Sequence, residues 1–405
     1  MTARQPHLYL VDGSGYIFRA YHKLPPMTDP QGTPVNAVFG FTTMLWKLIE
    51  DLNDAEHPTH LAVVLDAARR SFRNDIYPAY KAHRPDPPED LVPQFPLIRD
   101  AVRAFSVPCI ELPGFEADDI LATYATQALA QGFRVTIVSS DKDLMQLIQP
   151  GLDMRDPLKN VVLGPEAVIE KFGVPPEKVV DVQALAGDSV DNVPGAPGIG
   201  LKTAALLINE YGDVETLLSR AGEIKQEKRR QSLIEFAEQA RISKRLVCLD
   251  DKAPVHIPLE DLRMSDPNGK QIVSFLKAME FTSLTKRVAE ATDTNIELVE
   301  ADPELRPGDN VIGKLKAEGE AEVSGEAVHV EDIAQHLLRE EPLGVQVTLQ
   351  IKGPQGCGPL VPMLSQKGDE ARLRLRIFTI EAAEGAEEIV TAALQPEGEK
   401  LIRLA

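Results

Sequence analysis

The chain reads as an α/β protein built on a parallel sheet, followed by a mainly helical part and a tail of unassigned fold. Three short apolar runs rich in β-branched residues carry the first half of that reading: His7-Leu-Tyr-Leu-Val11, His60-Leu-Ala-Val-Val-Leu65 and Arg134-Val-Thr-Ile-Val-Ser139. Such length and near-continuous hydrophobicity mark strands buried on both faces. Amphipathic stretches of helical length, at 36–56, 91–105 and 117–131, alternate with them, as a doubly wound sheet requires. From 165 to about 289 the strand signal fades and helical patterns take over, at 178–186, 203–210, 228–244 and 270–281.

This pattern divides the chain into a core over 1–164, a helical subdomain over 165–290, a linker over 291–310 and a small acidic region over 311–405. The linker is polar and acidic, and Pro303 and Pro307 interrupt any helix there. In the last region 328–339 reads as a helix and 371–380 as a strand. No internal repeat is found.

A chain of 405 residues is long enough for two or three domains, and its composition is that of an ordinary soluble protein rather than a fibre or a disordered chain. The cysteines, Cys109, Cys248 and Cys357, are far apart and suggest neither a disulfide framework nor a zinc site. A polar start runs straight into the first strand without a leader-like or membrane-spanning segment, so a cytoplasmic protein with no membrane association is expected. The net charge of −19 disfavours nucleic-acid binding as a sum, because phosphate contacts need cations. Its distribution matters more: Arg69, Arg70, Arg73, Lys81 and Arg84 are concentrated in one stretch.

Asp12, Asp66 and Asp141 each stand at or just beyond the carboxyl end of a predicted strand, the edge where open α/β sheets bind ligands. If the strands are adjacent, the carboxylates converge. Glu116, Asp118 and Asp119 open the helix that follows, Asp143 stands two positions after Asp141, and Asp188 and Asp191 are three apart, a spacing that aims both one way at a helix end. Crowded carboxylates must take up protons or cations. An all-oxygen set without His or Cys suits Mg²⁺ or Mn²⁺, and two such ions about 3.5–4 Å apart can drive in-line phosphodiester hydrolysis. The competing reading makes each Asp a cap or turn residue, and it weighs most at Asp119, which could cap the Glu116 helix.

The stretch from Ser71 to Arg84 interleaves cations with Phe72, Tyr77 and Tyr80, a mixture suited to phosphate contacts and base stacking. Directly after Asp66, it would overhang the carboxylates and draw a nucleic-acid backbone to them. The plainer alternative is a surface loop anchored by its aromatics, Tyr77 above all. Farther on, Gly195, Gly198, Gly200, Lys202 and Thr203 suggest a phosphate-binding loop, but Leu201 breaks the P-loop spacing and no apolar strand precedes it. Glycines opening a helix still expose N–H groups to a phosphate, with Lys202 adding charge; the alternative is a tight helix–helix turn.

Taken in order, Asp12-Gly-Ser-Gly15, Phe72-Arg-x-x-x-Tyr-Pro-x-Tyr-Lys-x-x-Arg84, Glu116-Ala-Asp-Asp119, Ser140-Asp-Lys-Asp143 and Gly187-Asp-x-x-Asp-Asn followed by Gly-Ile-Gly-x-Lys-Thr closely resemble the 5′–3′ exonuclease domain of bacterial DNA polymerase I and the related flap endonucleases. The resemblance covers roughly 6–290. It implies a PIN-like core, a helical arch around 67–90, and a helix–three-turn–helix near 185–212 that grips duplex DNA, with K⁺ at its glycine turn. It also implies removal of RNA primers and 5′ flaps in replication and repair, in the bacterial cytoplasm at the nucleoid. On this resemblance Asp12, Asp66, Glu116 and Asp118 form a first metal site. Asp141 bridges to a second made by Asp143, Asp188 and Asp191. Arg73, Lys81 and Arg84 engage the scissile phosphate, Tyr80 stacks on a base, and Tyr77 and Arg70 join the DNA contacts.

Gly15 and Leu201 depart from residues frequent in the family, and neither removes a proposed ligand. No polymerase or proofreading motif is read after 290, so polymerase activity is not expected from this chain. A monomer suffices for the chemistry, and the acidic region is a candidate site for a protein partner. Two other readings compete with an active nuclease: a catalytically inactive DNA-binding tether, which missing carboxylates would favour, and a PIN-like RNase, which would lack the glycine turn.

Overall fold

In the computed structural model the described residues are 5–29, 32–53, 57–157 and 159–302, together with seven backbone strands between Glu320 and Ile402. The chain divides into two compact units at Pro307 and Gly308.

The first unit is organised by a six-stranded sheet of order β3-β2-β1-β4-β5-β6, formed by β1 His7–Asp12, β2 His60–Val64, β3 Cys109–Ile110, β4 Arg134–Val138, β5 Leu152–Asp156 and β6 Val161–Leu163. All neighbours are parallel except β5 and β6. The three runs expected to be strands therefore lie side by side at its centre, β2 and β4 flanking β1.

Along a strand, successive side chains point to opposite faces, and here both faces are covered. Leu8, Leu10, Ala62, Val64, Val135 and Ile137 pack on one side with α5 (Ala117–Ala130). Tyr9, Val11, Leu61 and Val63 pack on the other with α1 (Gly13–Lys23), α2 (Asn36–Asp51) and α4 (Gln94–Ala104). Each such Leu, Ile or Val side chain stabilises the fold by about 1.5–3 kcal/mol relative to exposure. Of the expected helices, 36–56, 91–105 and 117–131 correspond to α2, α4 and α5, each a little shorter.

The segment 67–90, expected to form a helical arch, contains only the single turn α3 (Arg73–Ile76) and a run of turns. Proline explains the difference: Pro78, Pro85, Pro87 and Pro88 each remove an N–H donor and disfavour helix in the residue before them.

Beyond β6 come α6 (Pro165–Phe172), α7 (Val179–Ala186), α8 (Leu201–Tyr211), α9 (Val214–Ser219), α10 (Glu227–Glu235), α11 (Ala237–Val247), α12 (Gly269–Ala278) and α13 (Thr282–Ala291). The expected helix over 228–244 is interrupted at Phe236. Helices α6 to α11 extend the α5 side of the core, whereas α12 and α13 return to pack with α2 and α4. Part of the expected linker also joins this unit: 296–298 form a turn of 3-10 helix and Val299 is buried. Among the described residues no helix is long and apolar enough to cross a membrane.

The second unit contains a four-stranded antiparallel sheet and a three-stranded one. Arg374–Phe378 is a strand within the expected 371–380. The helix expected over 328–339 is corrected at its start, because Val328 and His329 belong to the strand Glu326–His329, paired with Glu320–Val323; its remainder lies outside the described residues.

Candidate active site

The cleft is built at the carboxyl edge of the sheet. Asp12 ends β1 and caps α1, its Oδ1 accepting from the Gly15 N–H at 3.0 Å and its Oδ2 from the Ser139 hydroxyl at 2.8 Å. Asp66, just past β2, accepts from Ser14 Oγ and from the Ala117 N–H, both at 2.8 Å, which ties the β2 edge to the amino end of α5. Glu116 caps that helix reciprocally with Asp119. Past β4, Asp141 accepts from the Asp143 N–H at 2.9 Å.

Glu116, Asp118, Asp143, Asp188 and Asp191 line one pocket with Arg73, Tyr80 and Gln183. Asp12, Asp66 and Asp141 are close enough to act on it electrically. Burial, followed by repulsion from Asp141 and Asp12, holds the Asp118 carboxyl well above its ordinary range. Burial also pushes Asp12 up to about 6 against the hydrogen bonds from Gly15 and Ser139, with Asp141 and Asp66 adding to the rise. Asp143 likewise goes to about 6 through burial and the neighbouring Asp141. Asp141 thus acts on Asp12, Asp118 and Asp143 alike.

Protein cations offset part of this charge. Lys81 Nζ lies 2.9 Å from Glu116 and 3.8 Å from Asp191. Arg84 pairs with Asp191, its Nε donating at 3.0 Å, and Lys142 pairs with Asp188. Burial would raise Glu116, but Lys81 and Arg73 outweigh it and hold the carboxyl below its usual value. Asp188 is held low in the same way by Lys142 and by backbone N–H donors.

Among the described residues no three His, Cys, Asp or Glu side chains stand gathered as a ready metal-binding group. The donor set nevertheless suits hard cations. It is all oxygen, burial and then repulsion between neighbours raise the carboxyls of Asp12, Asp118 and Asp143, and the buried Gln183 Oε1 has no partner. The residues present therefore fit hard divalent cations.

Four expected site residues are placed otherwise. Asp119 is 0% exposed; its carboxylate receives both terminal Arg73 nitrogens at 2.7 Å, the Glu116 N–H at 3.1 Å and the Asp250 N–H at 2.9 Å. That leaves it a helix-capping and ion-pair residue, as the competing sequence reading had it. Arg73, expected to hold a phosphate, is 1% exposed and donates also to the Leu246 and Cys248 carbonyls, while its Nη1 lies 3.6 Å from Glu116 Oε2. Four of its five N–H donors are bonded, and its burial leaves no open face for a phosphate. Tyr80 is 5% exposed with its hydroxyl on Glu116 at 3.2 Å, so it stacks on no base as it stands. Tyr77, half-buried, packs in the same small apolar cluster with Tyr80, Val193 and Leu246, which makes both aromatics anchors of the segment.

Lys81 and Arg84 do face the cleft. The segment is pinned there from the helical side, Lys81 N–H donating to the Asp191 carbonyl and the Asn192 side chain to the Ala79 carbonyl. Arg70 lies apart, exposed and paired with Asp75 at 2.8 Å.

The glycine turn joins α7 to α8. Gly187 and Gly195 cross in contact, both with positive φ, and a Cβ on Gly195 would come within 2.5 Å of the Gly187 nitrogen; only glycine fits there. Gly195 is locked to α11 by Ser243 and Gln239. Gly198, Gly200 and Lys202 are exposed and Thr203 half-buried at the start of α8, where no side chain caps the N–H groups.

Sequence reasoning passed over Lys142, Gln183, Ser14 and Ser139. Lys142 stands inside the Asp141–Asp143 motif and Ser14 inside Asp12-Gly-Ser, so motif position could have raised them; nothing in sequence marks Gln183.

Comparison with known proteins agrees with this construction. Residues 7–173 match the family described as 5′–3′ exonuclease, N-terminal resolvase-like domain, and 174–270 match 5′–3′ exonuclease, C-terminal SAM fold. A 5′–3′ exonuclease of Aquifex aeolicus is 39% identical over 281 residues, 69% of this chain and 94% of that protein. DNA polymerase I of Rhizobium leguminosarum is 54% identical over 335 residues, 80% of this chain. The chain spans about a third of that relative's length, the matched part being 33% of it. The fold is also that of a T5 5′-exonuclease solved with divalent metal ions (zinc), with a TM-score of 0.51 at 22% identity over 70% of this chain and 98% of the other. The chain belongs to the 5′–3′ exonuclease family.

Proposed function

We propose that this chain is a metal-dependent nuclease that hydrolyses phosphodiesters at 5′ ends and 5′ flaps of DNA, including RNA–DNA primers and nicked duplexes, as a cytoplasmic, nucleoid-associated monomer. The observation that carries the reading is the gathering of acidic side chains in one cleft: Glu116, Asp118, Asp143, Asp188 and Asp191 line a single pocket, with Lys81, Arg84 and Lys142 paired to them. Support comes also from the T5 flap endonuclease, known in a pseudo-enzyme–product complex with DNA and metal ions.

Two divalent cations, Mg²⁺ or Mn²⁺, would supply water activation and stabilisation of the leaving oxygen. The chain's own residues do the rest. Asp12, Asp66, Glu116 and Asp118 would hold the first ion, Asp143, Asp188 and Asp191 the second, with Asp141 shared. Lys81 and Arg84, paired with Glu116 and Asp191 in the cleft, would be the cations that face the scissile phosphate. Gly198, Gly200, Lys202 and Thr203 grip a phosphate of the duplex at the start of α8, with K⁺ at the turn. Residues 311–405 are a candidate partner-binding region.

The test is cleavage of a 5′-labelled flap DNA in Mg²⁺, with EDTA and Asp66→Ala plus Asp141→Ala as controls. Product that disappears in both controls is expected. Tight binding without cleavage under any divalent ion would sink the catalytic reading and leave a DNA tether.

A further inference from the structure

Gln183 lies on α7, 3% exposed, and lines the same pocket as Asp118, Asp143, Asp188 and Asp191. Its Nε2 donates to Asp143 Oδ1 at 2.5 Å. Its Oε1 is buried and accepts nothing from the protein. Chemistry sets the orientation of the amide, since turning it over would press its carbonyl oxygen against a carboxylate oxygen.

A buried carbonyl without a donor is costly, and α7 does not require one here: Val182, Ala184 and Leu185 beside it are apolar and fully buried. What completes such a group is a hydrogen-bond donor or a cation. The surrounding carboxylates exclude an anion. A carbonyl oxygen can bind a cation directly, but Mg²⁺ gives up its water reluctantly and usually keeps several molecules around it, and those are donors to an amide whose Nε2 already holds Asp143.

We propose that Gln183 is a positioning residue of the second cation site: its Nε2 orients the Asp143 carboxylate, and its Oε1 accepts a hydrogen bond from the hydration shell of a divalent cation held by Asp143, Asp188 and Asp191. This rests on the two-cation reading of the cleft and adds to it an outer contact that no carboxylate supplies. Outer contacts of this kind fix the geometry of the inner ligands, and removing one typically weakens metal binding or activity about 10–100-fold.

The experiment uses the full chain and two variants, Gln183→Met, which keeps length and removes the amide, and Gln183→Glu, which keeps an acceptor oxygen. Mn²⁺ binding is followed by calorimetry without DNA, melting temperature is measured in EDTA and in Mn²⁺, and flap cleavage is titrated with Mg²⁺. In Gln183→Met, melting in EDTA stays near that of the parent while the weaker Mn²⁺ binds about tenfold less tightly or worse. The Mg²⁺ needed for half-maximal cleavage rises in step and KM for DNA does not. Gln183→Glu binds Mn²⁺ at least as tightly as the parent.

An unchanged Mn²⁺ isotherm in Gln183→Met makes Gln183 a packing residue and overturns the proposal. Should Gln183→Met fail to fold, weaker Mn²⁺ binding by Gln183→Glu overturns it instead. A parent chain that neither binds Mn²⁺ nor cleaves the flap would locate the failure in the two-cation reading itself, and the role of Gln183 would fall with it.

Discussion

Arg73 and Asp119 form a two-pronged ion pair inside the protein, Nη1 to Oδ2 and Nη2 to Oδ1 both at 2.7 Å, with neither side chain more than 1% exposed. The pair joins the segment after β2 to the first turn of α5, and through the Leu246 and Cys248 carbonyls it reaches the end of α11. A residue of the basic segment thereby holds the two walls of the cleft together.

Breaking that pair leaves a buried charge alone, which costs about 3–5 kcal/mol. Arg73→Ala and Asp119→Ala should each lower stability to urea by that order, and the double variant by less than the sum. Full stability of Asp119→Ala together with lost Mn²⁺ binding would instead return Asp119 to the metal ligands.

Lys81 and Lys202 should separate chemistry from grip. Lys81 touches Glu116 in the cleft, so Lys81→Ala should lower cleavage at saturating flap DNA by about tenfold or more with duplex affinity little changed. Lys202 is exposed at the start of α8. Its replacement by Ala should weaken binding to any duplex sequence and reduce the slope of log K against log salt by about one. Equal loss of turnover in both variants would contradict this division.

The cleft carboxyls predict a pH dependence of metal stabilisation. Asp12 and Asp143 are raised from 3.8 to about 6, so folding takes up protons between those values, and without metal the stability they affect falls as pH rises through that window. Glu116 and Asp188, held low, contribute stability that is lost only below about pH 4.5. Burial holds the His60 imidazole below its usual value, so its share is lost as pH falls; His60 starts β2, at the far end from the cleft, and titrates alike with and without metal. The increase in melting temperature caused by Mg²⁺ should therefore grow from pH 5 to pH 7.5. A constant increase would show that the ion does not meet these carboxyls.

At the glycine turn, Gly195→Ala should lower both stability and duplex binding, because the added Cβ meets the Gly187 backbone at a position with φ of +59°. Gly200→Ala, with open space at its Cβ and ordinary φ, should fold like the parent and serve as its control for stability. A Gly195→Ala chain as stable as the parent would contradict the crossing.

Much of the sheet was legible because its signals are local. Three apolar runs of strand length became β1, β2 and β4, and the acidic residue after each fell at the same edge because parallel strands share direction. The paired strands β5 and β6 were missed: Leu152–Asp156 alternates in burial with charged residues, and Val161–Leu163 is only three residues long. The cap role of Asp119 was visible as an alternative, since capping is read from positions three apart, but its choice over metal binding depended on an arginine 46 positions away.

What the sequence by itself determined was the three central strands with the helices between them, the carboxylates at the strand ends and the family to which these motifs belong. Each follows from residue type and short spacing, which a linear pattern preserves. Tertiary structure alone decided which cations are spent inside the fold and which face the cleft. Arg73 and Lys81 are eight positions apart and chemically alike in sequence, yet one is enclosed by Asp119 and two α11-end carbonyls while the other stands over Glu116. Burial and partner choice depend on residues brought together from distant segments, and no local pattern encodes that.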